Sequence, residues 1–126
     1  MTPLEQQFEI LSSHFPGASI EHLSNGSAVI TIPEVPLPPG WSRQKATVRF
    51  VAPAGYPFAK PDCFWADSDL RLASGATPQS TGNNPIPGAA PMPLTWFSWH
   101  LAQWNPNRDS LVTYLYGVRG RFRNAQ

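Results

Sequence analysis

Only one cysteine, Cys63, occurs in the 126 residues. It has no partner for an internal disulfide, which suits a reducing compartment and excludes a disulfide-stapled secreted scaffold. Charge is scarce too: Asp, Glu, Lys and Arg make up 13% of the chain, and the formal net charge is +1. Such a balance leaves no electrostatic footprint for nucleic acid or an anionic membrane. No apolar run approaches the ~20 residues that span a bilayer. Met1-Thr2-Pro3-Leu4-Glu5 has neither the basic nor the apolar region of a secretory signal, so a cytoplasmic protein is expected. Glycine-rich phosphate loops and Gly-x-Ser-x-Gly elbows are absent. The histidines, His14, His22 and His100, are scattered and with one cysteine form no metal-ligand spacing. Neither a metal nor a cofactor is expected.

What the chain does have is proline and tryptophan, 15 and 5 residues, within a 41% hydrophobic composition. The length suits one domain over residues 1–126, and no internal repeat divides it. Thr2-Pro3-Leu4-Glu5 carries the pattern of a helix start, with Thr2 as N-cap, Pro3 in the first turn and Glu5 reaching back. Leu4, Phe8 and Leu11 follow at helical spacing until Pro16-Gly17, predicting a helix over 3–14. Ser19 to Leu23, a turn at Asn25-Gly26, and Ala28 to Ile32 read as a hairpin that Pro33 ends. Alternation in Lys45 to Val51 and a short apolar run at 62–66 add two strands. Together these predict a four-stranded antiparallel meander. Residues 67–95 show no periodicity and predict a long irregular loop. Leu111, Leu115, Val118 and Phe122 then mark an amphipathic helix, with Asp109 in its first turn and Arg119, Arg121 and Arg123 near its end.

Between the last two predicted strands stands Tyr56-Pro57-Phe58-Ala59-Lys60-Pro61-Asp62. Two prolines four apart remove two N–H donors and fix φ, so this stretch is a rigid corner under which Tyr56 and Phe58 can pack. Strand, Tyr-Pro-x-x-x-Pro, strand, followed by Trp104-Asn105-Pro106 before a helix, resembles the ubiquitin-conjugating (E2, UBC-like) superfamily. The resemblance covers most of the chain. It implies an α+β fold with an N-terminal helix, a meander, an extended active-site loop and a C-terminal helix packed on the sheet. It also implies that Tyr56, Pro57, Pro61 and Trp104 belong to the family's recognition corner.

The chemistry departs from the ordinary members of that superfamily. They carry His-Pro-Asn and then a cysteine about eight residues before the tryptophan; here Trp96 stands there, and Asn83-Asn84-Pro85 is a partial echo. The segment Thr95-Trp96-Phe97-Ser98-Trp99-His100-Leu101-Ala102-Gln103-Trp104 is similar instead to prokaryotic E2 family E, whose members carry a histidine before the final helix. His100 matches that position. The resemblance implies an E1-like adenylating enzyme and a ubiquitin-like protein as partners.

Candidate catalytic residues follow. Ser98 and His100 lie two apart and share a face in an extended segment, so His100 can serve as base for a Ser98 oxyester. In the bland alternative Ser98 caps a turn and His100 packs between tryptophans. Cys63, the sole thiol, is the second candidate nucleophile, set against a role as a small buried hydrophobe. Asn83, Asn84 or Gln103 could hold an oxyanion. Asp62, Asp67 and Asp69 could orient an amine, or form an ordinary turn. Trp96, Trp99 and Trp104 pin the loop to the sheet or, less simply, form a proline or sugar platform. Two functions stand side by side: an E2-like carrier, and an inactive E2-like module that binds a ubiquitin-like protein or its E1-like partner.

Overall fold

The computed structural model describes every residue from Met1 to Gln126. Its elements run α1 (Pro3–His14), β1 (Ser19–His22), β2 (Ala28–Pro36), β3 (Lys45–Ala52), β4 (Phe64–Asp67), β5 (Thr81–Gly82), β6 (Leu94–Phe97) and α2 (Leu111–Phe122). One antiparallel sheet holds all the strands in the order β1-β2-β3-β4-β6-β5. The sheet is therefore six-stranded, not the four-stranded meander expected, and the span 67–95 is not uniformly irregular. It contains β5 and the start of β6, which pair too briefly, among too many prolines, to leave a period in the sequence. No helix is long and apolar enough to cross a membrane.

Local chemistry sets both helix starts. Thr2 Oγ1 accepts from the Glu5 N–H at 3.1 Å, and Pro3 occupies the first turn. The Thr2 hydroxyl also donates to the Glu5 carboxylate, which thus reaches back to the cap's side chain. At α2 the cap is Ser110, whose Oγ accepts from the Thr113 N–H while Thr113 Oγ1 accepts from the Ser110 N–H. Asp109 consequently lies before the helix rather than in its first turn, and its carboxylate accepts from the Asn105 N–H at 2.7 Å. Pro33 does not end β2 either. The strand runs on to Pro36 through a register shift between Ile32 and Val35, with Glu34 at φ +57°. A bulge absorbs the N–H that proline cannot donate.

Alternation divides the sheet into two faces. Ile30, Ile32, Val48, Phe50, Phe64 and Phe97 point to the helices and are sealed by Leu11 of α1 and by Leu111, Tyr114, Leu115, Val118 and Phe122 of α2. The opposite face carries a smaller cluster, Val29, Trp65, Ile86 and Leu94, with Val51 and Trp96 against it. Gln7 joins the two helices, since its Oε1 accepts from both the Leu111 N–H and the Tyr56 hydroxyl.

Two phenols in this arrangement make stability sensitive to alkali. Burial, reinforced by Asp109, pushes the Tyr56 phenol well above its ordinary value of 10.0, and burial, reinforced by Asp62 and Cys63, does the same to Tyr114. Unfolding would let both ionise at that ordinary value, so their contribution to stability is complete below pH 10 and is lost progressively above it. Guanidinium midpoints measured on either side of pH 10 are expected to fall only on the alkaline side.

Candidate functional site

The double-proline corner positions the chemistry. Trp104 Nε1 donates to the Pro57 carbonyl at 2.7 Å, its ring packs on Tyr56 at 5.8 Å, and Pro61 is buried. These four expected binding residues thus build the corner itself. Phe58, expected to pack beneath it, is 81% exposed instead. Its N–H and that of Ala59 both bond the Gly55 carbonyl, forming a tight turn that carries the ring outward.

The corner delivers Asp62 and Cys63 to the start of β4, an interior strand of the sheet. Cys63 was expected within a strand; it lies one residue before β4 with φ +59°, the left-handed region that non-glycine residues seldom occupy. Two bonds hold it there. Its N–H donates to the Trp99 carbonyl at 3.0 Å, and its carbonyl accepts from the buried Tyr114 hydroxyl at 2.7 Å. Trp99 is braced in turn by α2, where Gly117 makes room: a Cβ there would stand 2.9 Å from the indole. The indole also meets Phe64 and Tyr114 edge-on. A left-handed residue over-determined by its surroundings marks a position where side-chain direction matters.

This arrangement gathers three groups of different chemistry. His100 Nδ1 lies 2.5 Å from an Asp62 carboxylate oxygen, and donor atoms of Asp62, Cys63 and His100 all fall within 4.8 Å of one another. Asp62 and His100 are more than half exposed, while Cys63 is 8% exposed. No hydrogen bond joins the Cys63 thiol to His100; rotation of the exposed imidazole closes the remaining gap of at most 4.8 Å before a proton can pass from sulfur to nitrogen, with the carboxylate orienting the ring. Sulfur, nitrogen and oxygen donors at this separation are also of the types that hold a transition metal.

Cys63 and Asp62 line a cleft of about 500 Å³ on the sheet face turned away from the helices. Trp65 and Trp96, paired across β4 and β6, contribute its aromatic lining, and Lys60, Asn25 and Asn84 its polar groups. Of the amides considered for an oxyanion, Asn84 is in the lining and Asn83 and Gln103 are not.

Ser98 is separate from this constellation. It is exposed at the end of β6, its N–H bonds the Ser80 carbonyl, and no hydrogen bond joins its hydroxyl to His100. The shared face inferred from Ser98-x-His100 fails because the strand ends at Phe97, and period-two alternation ends with it. The aspartate trio also divides. Asp67 accepts from the Thr47 N–H and Asp69 pairs with Arg43, leaving Asp62 alone beside His100. Sequence reasoning overlooked that partnership, whose one signal was Asp62-Cys63 following a rigid proline.

No curated protein and no solved structure matches the chain. The helix–antiparallel sheet–helix architecture is consistent with a UBC-like fold. The family model described as prokaryotic E2 family E matches residues 5–125, and the chain belongs to that family.

Proposed function

We propose that the protein is a cytoplasmic E2-like carrier that takes the activated C-terminus of a ubiquitin-like protein from an E1-like adenylating enzyme. The observation that carries this reading to an atom is the gathering of Cys63, His100 and Asp62 within 4.8 Å of one another, with Cys63 and Asp62 lining the cleft. Cys63 Sγ attacks the carbonyl of the incoming E1-bound thioester. Its proton passes to His100 and from there to the departing E1 thiol, so that a thioester on Cys63 forms and His100 is again free to accept a proton. An acceptor amine or hydroxyl then attacks that thioester, His100 takes the acceptor's proton, and the Cys63 thiol is released. The Asn84 amide serves the oxyanion from the cleft.

An oxyester on Ser98 has less support, because its hydroxyl makes no hydrogen bond to His100 and Ser98 does not line the cleft beside Cys63 and Asp62. The inactive binding module is favoured by one observation, the low exposure of Cys63.

One experiment separates the three. The chain is incubated with its E1-like enzyme, the ubiquitin-like protein and ATP, then resolved without reductant. A thiol-labile adduct is expected in wild type and in Ser98→Ala, and none in Cys63→Ala. An adduct that persists in Cys63→Ala and disappears in Ser98→Ala overturns the thioester in favour of the oxyester. Saturable binding of the ubiquitin-like protein with no adduct in any variant leaves the module.

A further inference from the structure

We propose that Asp62, Cys63 and His100 also form a site for a divalent transition-metal cation of the zinc class, and that the bound ion masks the thiol. Metal binding stands on the ligand geometry alone; the masking role rests on the carrier reading above.

The donor set selects the class of ion. Thiolate and imidazole suit zinc and its neighbours, whereas magnesium and calcium take oxygen ligands. Sequence spacing concealed the set, since Asp62 and Cys63 are adjacent and His100 arrives from beyond β6. The geometry is close to what tetrahedral binding needs. Zinc bonds of roughly 2.0–2.3 Å place ligand atoms about 3.3–3.8 Å apart, against a present spread of at most 4.8 Å. Contraction by about 1 Å is therefore enough for the most distant pair.

The three groups divide the work of closing on an ion. Cys63 is fixed, because its backbone is tied at the N–H to Trp99 and at the carbonyl to Tyr114. Asp62 and His100 have side chains 58% and 62% exposed, so both can rotate toward it at little cost in packing. Their own contact at 2.5 Å is a hydrogen bond, and the cation replaces the shared proton. The Cys63 thiol proton leaves to solvent as the thiolate forms. Lys60 also lines the cleft, with its ammonium directed to the Leu101 carbonyl at 3.2 Å. Three protein ligands leave one coordination position, which the adjoining cleft supplies with water.

Occupancy has a chemical consequence. A metal-bound thiolate has given its lone pair to the ion, and His100 is no longer free to accept a proton. The site then holds either a metal or an acyl group.

Cobalt(II) is the probe, added to the isolated full-length chain with no E1-like enzyme present. Wild type is expected to develop a near-ultraviolet thiolate-to-cobalt charge-transfer band with intense visible bands, all displaced by zinc. Cys63→Ser should abolish the charge-transfer band. His100→Ala and Asp62→Ala, which alter exposed side chains and should leave the thermal melt unchanged, should each weaken cobalt binding by about tenfold or more. Masking is read separately as protection of Cys63 from iodoacetamide by zinc, reversed by chelator. Failure of wild type to give the band, or a band unaltered in both His100→Ala and Asp62→Ala, overturns the site. A band without protection from alkylation overturns the masking. Because no conjugation partner is present, neither result depends on whether the carrier reading holds.

Discussion

Replacing His100 with alanine is expected to slow discharge of the Cys63 thioester to an acceptor by about 10²- to 10⁴-fold, the range a positioned general base supplies. His100 Nδ1 is taken up by Asp62, so Nε2 is the nitrogen left for proton transfer. Among the cleft's polar groups Asp62 is a far weaker base than an imidazole, Lys60 is bonded to the Leu101 carbonyl, and Asn25 and Asn84 are not bases. Asp62→Asn should cost less, about tenfold, since it removes one charge-assisted hydrogen bond between exposed groups. The two substitutions should not be additive, because the carboxylate acts only through the ring. Single-turnover discharge of pre-loaded carrier measures both. Equal loss from His100→Ala and Ser98→Ala would point away from the cysteine.

Phe64→Ala carries the largest expected effect on stability. The ring is fully buried, stacks on Phe97 at a centroid distance of 4.6 Å, and meets Phe122 and Trp99 edge-on. Truncating such a residue costs about 3–5 kcal/mol, a large share of the roughly 5–15 kcal/mol that holds a domain folded. A fall in Tm of about 10–20 °C is expected by calorimetry. Phe58→Ala provides the contrast: that ring is 81% exposed, and its loss should change stability by no more than about 0.5 kcal/mol. The same lesion should reach the site. Phe64 follows Cys63 directly and packs on Trp99, whose carbonyl holds the Cys63 N–H, so loosening the ring loosens the thiol.

Much of the fold was legible because its signals are local. The cap at Thr2-Pro3 and the spacing of Leu4, Phe8 and Leu11 located α1 over Pro3–His14. The Leu111 stripe located α2, although its cap lies at Ser110 and Asp109 remains outside. Alternation identified the buried side of β3, where Ala46, Val48 and Phe50 are all in the core. Elsewhere the local signal was misleading or absent. Pro33 reads as a stop, but a bulge lets β2 continue, and two-residue β5 has no period to detect. Phe58 resembles a packing residue by type and is turned outward by the corner's own hydrogen bonds.

Residue order by itself determined the helices, the alternating faces of β2 and β3 and the stiff Tyr-Pro corner, because capping, periodicity and proline sterics act over a few neighbours. Tertiary structure alone decided which side chains meet. His100 stands two residues from Ser98 yet bonds Asp62, 38 residues away, and Cys63 joins them only because Trp99 and Tyr114 hold its backbone in a left-handed conformation. Those bonds close between segments far apart in the chain, and no short-range preference of any of these residues encodes them.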